Sequence, residues 1–184
     1  MDVVVLEAAR PEPLSDALRP QPRVHRLLPQ ESRPQSRLDD RARRSRRARG
    51  VALVLVVDDS AHAREMYSEY LSHRGFSVLT AADGSQAIYY AVTARPDVIV
   101  MDLAMPNMSG ITATQWLKSH PRARHIPIII LTGYPYRAIE EGALEAGAAM
   151  WLTKPCLPED LEAHVHSLLE PPTRESREPR RPGT

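Results

Sequence analysis

Five polar positions are conspicuous for what precedes them. Asp58-Asp59 follows the apolar run 51–57, and Asp102 closes Asp97-Val-Ile-Val-Met. Thr132 follows Ile126-Pro-Ile-Ile-Ile-Leu131, and Lys154 follows the stretch 148–153. Three carboxylates drawn to one place repel one another. A hard divalent cation relieves that repulsion, and oxygen-only ligands suit Mg²⁺ or Mn²⁺. Lys154 is a cation with reach, suited to a carboxylate or a phosphoryl oxygen. Thr132 offers a hydroxyl. Metal, lysine and hydroxyl around one carboxylate neutralise a phosphoryl group arriving on it, and Asp102, the central acid, is then the nucleophile. Singly these residues say little: an Asp-Asp pair is ordinarily a helix start with a favourable dipole, and Lys-Pro is ordinarily a turn. Their co-location makes the case.

Co-location depends on the elements between them. The run Val-Ala-Leu-Val-Leu-Val-Val at 51–57 has the continuous apolar character of a strand buried on both faces. Ser60 can cap a helix running to about Arg74, with Ala63, Met66, Tyr67, Tyr70 and Leu71 toward the core, and Gly75 stops it. A second strand is expected over 76–81. Asp83-Gly84 is a turn signal, followed by a helix with Ala87, Ile88, Ala91 and Val92 on one side. The stretch 97–102 reads as a third strand, and a loop through Pro106 and Gly110 leads to a helix ending near His120. The stretch 126–131 is a fourth strand, with Pro127 at its start, where a missing N–H is tolerated. A helix over 135–146, a fifth strand over 148–153, and a last helix carrying Leu161, Val165, Leu168 and Leu169 complete the pattern. Five strand–helix units of this length imply a parallel sheet with helices on both faces and right-handed crossovers. Ligands of such sheets sit at the carboxyl ends of the strands, where Asp58, Asp59, Asp102, Thr132 and Lys154 all fall.

The chain has 184 residues and a net charge of +1 that hides an uneven distribution. Residues 1–50 carry 12 arginines against 7 acids, net +5; residues 51–169 carry 8 basic against 13 acidic residues, net −5; residues 170–184 carry 4 arginines against 3 glutamates, net +1. The first segment holds six prolines, no aromatic residue and no sustained period, so it is expected to be disordered. Seven of its arginines fall between Arg37 and Arg49. Such a run is either a solvated tail or an arm for an acidic surface or nucleic acid. The tail 170–184 is also rich in proline and arginine and is expected to be disordered. The folded domain is therefore expected over 51–169. No apolar run approaches the roughly 20 residues of a membrane span, and the start of the chain lacks the basic flank of a signal peptide. With Cys156 alone, no internal disulfide and no cysteine metal cluster can form. A cytoplasmic location fits. The seven histidines form no ligand set.

The separations are 43 residues from Asp59 to Asp102, 30 to Thr132 and 22 to Lys154. With Val-Val-Asp-Asp-Ser (56–60), Asp-Leu-Ala-Met-Pro-Asn-Met-Ser-Gly (102–110), Leu-Thr-Gly (131–133) and Trp-Leu-Thr-Lys-Pro (151–155), the sequence resembles the response-regulator receiver family of two-component signalling. The resemblance covers about 51–169. It implies a flavodoxin-like (βα)₅ doubly wound parallel sheet of strand order 2-1-3-4-5. It implies Asp102 as phospho-acceptor, taking its group from a phosphohistidine on a sensor histidine kinase or phosphotransfer protein. It also implies Mg²⁺ held by Asp58, Asp59, Asp102 and the Ala104 carbonyl, with Lys154 and Thr132 on the phosphoryl oxygens. The Lys154–Pro155 peptide is expected to be cis, as X–Pro bonds allow at modest cost. Trp151 takes the place of the switch aromatic.

Several positions depart from the family's commonest pattern. Trp151 is bulkier than the usual Tyr or Phe, which makes its inward rotamer a poor fit. Ala104 and Tyr134, two residues after Asp102 and Thr132, are the positions that govern phosphate lifetime; one has no polar side chain and the other is large. Leu157 is a poor helix cap. Two other classes fit worse. A flavodoxin-like cofactor protein needs a phosphate loop where Asp58-Asp59 would repel phosphate. A haloacid-dehalogenase-type phosphatase needs an acid where Ala104 stands. The expected output, in a single-domain regulator without a DNA-binding domain or a membrane span, is a protein contact or onward phosphoryl transfer. Phosphorylation-independent docking is the nearest rival.

Overall fold

The computed structural model describes residues 50–170 together with Ser45 and Ala48, which are helical and exposed. The disorder expected of 1–50 and 170–184 otherwise concerns positions outside the described residues. Elements alternate in the order β1 (Leu53–Val57), α1 (Ala61–His73), β2 (Ser77–Ala81), α2 (Gly84–Thr93), β3 (Val98–Asp102), α3 (Gly110–Ser119), β4 (Ile128–Thr132), α4 (Arg137–Glu145), β5 (Met150–Thr153) and α5 (Pro158–Leu169). All five strands are parallel, in the order β2-β1-β3-β4-β5. This is the expected doubly wound flavodoxin-like sheet, whose chain order reverses beside β1.

The central strands β1, β3 and β4 are buried along their whole length, which is why they read as unbroken Val, Leu and Ile. The edge strands β2 and β5 are only half-buried. Alternation along each strand sorts side chains to two layers. Leu55, Val57, Ile99, Met101, Ile128 and Ile130 pack beneath α2, α3 and α4. Val54, Val56, Val98, Val100, Ile129 and Leu131 pack beneath Tyr67 and Leu71 of α1 and Leu161 and Val165 of α5.

Most boundaries are shorter than the sequence suggests. Phe76 is buried but precedes β2, directly after Gly75 at φ +92°. Pro127 cannot donate to the ladder, so β4 starts one residue later. Residues 134–136 form an exposed loop, and α4 begins only at Arg137. Met66 lies on the solvent side of α1, 36% exposed, rather than in the core; the apolar stripe narrows there to Tyr67 and Leu71.

Candidate functional site

The carboxyl ends of β1 and β3 present Asp58 and Asp102, both nearly inaccessible at 3% and 5% exposure. Asp102 lies in β3 in phase with Val98 and Val100, and Asp58 continues the phase of Val54 and Val56. Both therefore leave the sheet toward the α1–α5 layer. Lys154, just beyond β5, donates to both: its Nζ lies 2.7 Å from Asp58 Oδ2 and 2.6 Å from Asp102 Oδ1. The Lys154–Pro155 peptide is cis, as expected, and the Lys154 amide donates to the Thr132 carbonyl at 2.7 Å, tying the loop to the end of β4.

The remaining carboxylate oxygens are also held. The Ala104 N–H donates to Asp102 Oδ2 at 2.7 Å, and the Ser60 N–H donates to Asp58 Oδ1 at 2.9 Å. Ser60 is at the same time the N-cap of α1, its side chain accepting from the Ala63 N–H. Burial pushes the Asp102 carboxyl above the usual carboxylate range, further than the Lys154 ammonium and the Ala104 N–H pull it down, and the Asp58 charge adds to the rise. Burial acts on Lys154 in the opposite sense, but its hydrogen bonds and charge contacts with Asp102 and Asp58 outweigh it and hold the ammonium above its ordinary range.

The structure thus brings two of the three acids together on one ammonium. Asp59 is exposed, one residue along. Among the described residues no three His, Cys, Asp or Glu side chains are gathered so as to hold a metal ion by themselves, with Lys154 bridging the two buried acids. The donor chemistry nonetheless fits Mg²⁺: the groups are carboxylate oxygens, and the two buried acids share a single ammonium.

Thr132 and Trp151 lie on the other layer. Thr132 is fully buried, in phase with Ile128 and Ile130, and its Oγ1 accepts from the Tyr134 N–H at 3.1 Å. Trp151 pairs with Ile130 across the β4–β5 ladder and packs half-buried against the layer under α4. Its indole N–H is buried without an acceptor among the described residues. Ala104 and Tyr134 are both exposed. Cys156 is half-buried against the α1–α5 layer, and burial raises its thiol, in keeping with packing rather than reactivity.

Three supporting residues are hard to single out by type. Arg64 Nη1 donates to the carbonyls of Asp58 at 2.7 Å and Asp59 at 3.0 Å, fixing the acidic turn. Tyr67 donates through its hydroxyl to the Cys156 carbonyl at 2.9 Å, fastening the loop after Lys154 to α1. A Cβ at Gly110 would collide with the Asp102 carbonyl oxygen, so only glycine lets α3 start against the acceptor strand.

A parallel five-stranded sheet with two buried acids and one lysine at its carboxyl edge defines a class, and comparison with known proteins gives the same one. Residues 54–166 match the model of the response regulator receiver domain, and the chain belongs to that family. It is 38% identical over 117 residues to the response regulator PleD of Caulobacter vibrioides, a match covering 64% of this chain and 26% of PleD. It is 30% identical over 102 residues to the polar-differentiation response regulator DivK of Brucella anthropi, covering 55% of this chain and 83% of DivK. Among solved structures, the chemotaxis response regulator CheY4 of Vibrio cholerae superposes with a TM-score of 0.61 at 37% identity, over 65% of this chain and 99% of that one. The BeF₃-activated receiver domain of DrrB superposes with a TM-score of 0.59 at 28% identity, over 65% and 97%. Among the described residues no helix is long and apolar enough to cross a membrane.

Proposed function

We propose that the domain is a phosphorylation switch in which Asp102 accepts a phosphoryl group from a phosphohistidine on a histidine kinase or phosphotransfer protein. The observation that carries this reading is the Lys154 ammonium on both Asp58 and Asp102 at the buried carboxyl edge of the sheet. In the transfer, Asp102 Oδ attacks phosphorus, the P–N bond to the donor imidazole breaks, and an acyl phosphate forms. The Ala104 N–H orients the acceptor carboxylate, and Lys154 stays close enough to follow the charge onto the phosphoryl oxygens. Asp58, Asp59, Asp102 and the Ala104 carbonyl are the groups that would hold Mg²⁺, which when bound offsets negative charge on the incoming group. Thr132 turns its hydroxyl to a phosphoryl oxygen, and Trp151 moves with it, changing the face made by α4, β5 and α5.

Ala104 carries no polar side chain to place a hydrolytic water, and the Tyr134 ring, which is exposed, can cover the approach. Positioning is a large part of such catalysis, so the phospho-form is expected to be long-lived, as suits a slow output or a relay intermediate. The activation of DrrB by BeF₃, a phosphoryl-like group, supports the switch over the docking-module reading. The domain turns over no external substrate in this scheme; it assists only its own phosphorylation and dephosphorylation, and it operates in the cytoplasm.

The test is incubation with a small phosphodonor and Mg²⁺. Hydroxylamine-labile label is expected on the unmodified protein and none on Asp102→Asn; Asp59→Ala is expected to lose Mg²⁺ binding, and Ala104→Asn to shorten the lifetime. Full labelling of Asp102→Asn would refute the acceptor assignment.

A further inference from the structure

One surface feature takes no part in this chemistry. A groove of about 440 Å³ runs along α1, lined by His62, Glu65, Met66, Glu69, Tyr70 and His73 and by Pro158 of α5. Its floor is partly apolar, and Met66 is 36% exposed. Two acids line it, Glu65 and Glu69, one turn apart on α1. The two arginines of this stretch are engaged elsewhere, Arg64 with the carbonyls of Asp58 and Asp59 and Arg74 with Glu162, while His62 and His73 line the groove. Among the described residues, no ion pair engages the Glu65 or Glu69 carboxylate.

We propose that this groove is the docking site of the chain's own arginine-rich segment, residues 37–49. Charge favours it. The arm carries seven arginines between Arg37 and Arg49, against two acids, Asp39 and Asp40, while residues 51–169 carry a net −5. Position favours it as well. The segment joins the domain through Gly50, at φ +68°, and Ala52 packs in the same layer as Tyr67 and Leu71 of α1. The Ala52 carbonyl accepts from Ser77, just beyond the turn that ends α1. The segment therefore joins the domain at the end of the sheet where the turn after α1 leads into β2. Length agrees too: α1 has 13 residues, about 20 Å at a helical rise of 1.5 Å per residue. The 13 residues 37–49 span that distance as a helix and about twice as far when extended. An exposed ion pair is weak alone, but a tethered segment acts at an effective concentration on the order of millimolar.

The groove ends at His62 and Pro158, in the first turns of the helices that begin at the Asp58–Asp102 edge. The test is paramagnetic relaxation on the full chain, with Cys156→Ser removing the native thiol and a nitroxide attached at Ala42→Cys. Amide signals of 62–73 are expected to lose most of their intensity while those of α4 keep theirs. The loss should be reversed by about 1 M salt, where the screening length is about 3 Å. It should also be reversed by Glu65→Lys/Glu69→Lys, and by replacing Arg43, Arg44, Arg46 and Arg47 with Ser, which leaves the domain intact. Equal broadening of α1 and α4 would overturn the proposal. So would broadening that grows with protein concentration, which would assign the groove to a second copy.

Discussion

The two layers of the sheet are finished to different standards. On the α1–α5 side the acids, the lysine and their helices are cross-braced. Ser60 caps α1, Tyr67 reaches the Cys156 carbonyl, and Glu162 of α5 receives Arg74 at 2.8 Å and Tyr70 at 3.0 Å. On the opposite side, at the β4–β5 end, α4 buries only Ala143. Among the described residues the Trp151 N–H has no acceptor, and the Thr132 hydroxyl accepts from the Tyr134 amide. A chemical site needs fixed donors, because small displacements of reacting groups are costly. A reporting surface needs two arrangements of similar free energy. On the function proposed above, the first layer serves the former and the end of the second the latter.

That contrast should appear first in stability. Leu71→Ala, at a fully buried position of α1, is expected to cost about 2–5 kcal/mol through lost burial and the cavity left behind. Leu144→Ala, at a 46% exposed position of α4, should stay within about 0.5 kcal/mol. Denaturant unfolding of both variants checks this, and equal losses would erase the distinction. Native-state hydrogen exchange sharpens it without mutation: amides of β1 and β3 should exchange only through global opening, and those of α4 through a much cheaper local one.

A smaller effect lies in the caps. Ser60→Ala should cost about 1 kcal/mol, whereas Tyr136→Ser, at a 60% exposed residue that begins α4 uncapped, should add about 0.5–1 kcal/mol. The smallest is a titration. Because burial raises the Asp102 carboxyl, its ¹³C signal should titrate above the ordinary value of about 3.9. The folded state then binds this proton more tightly than the unfolded one. Asp102 should therefore lower stability, relative to Asp102→Asn, as pH rises from about 3.9 through its raised value. A midpoint below 3.9, on the scale of free aspartate, would show that Lys154 outweighs burial.

How much of this was legible follows from where each constraint acts. Asp58, Asp102 and Lys154 could be placed because apolar runs mark strands, and parallel strands bring their carboxyl ends to one edge. Ser60 announced its cap by type. Alternation also places Thr132 and Trp151 on the layer opposite the acids, but only once the register is known. Arg64, Tyr67 and Gly110 were not legible as parts of the site. Their roles depend on contacts to backbone carbonyls across loops, which leave no periodic trace. Met66 misled because α1 has an apolar residue on its solvent side, over the groove. The shared ammonium was also out of reach: sequence shows three acids and a lysine, not that the lysine spans two of them while Asp59 stays exposed.

The most direct test of the account is a comparison of amide chemical shifts in the full chain before and after phosphorylation by a small phosphodonor with Mg²⁺. The account predicts large changes at Asp102 and Lys154 that continue through Thr132, the loop 133–136, α4 and Trp151, with α2 and the far end of α1 unmoved. Changes confined to the immediate neighbours of Asp102, with α4 and Trp151 unaltered, would contradict it and leave a domain that accepts phosphate without reporting it.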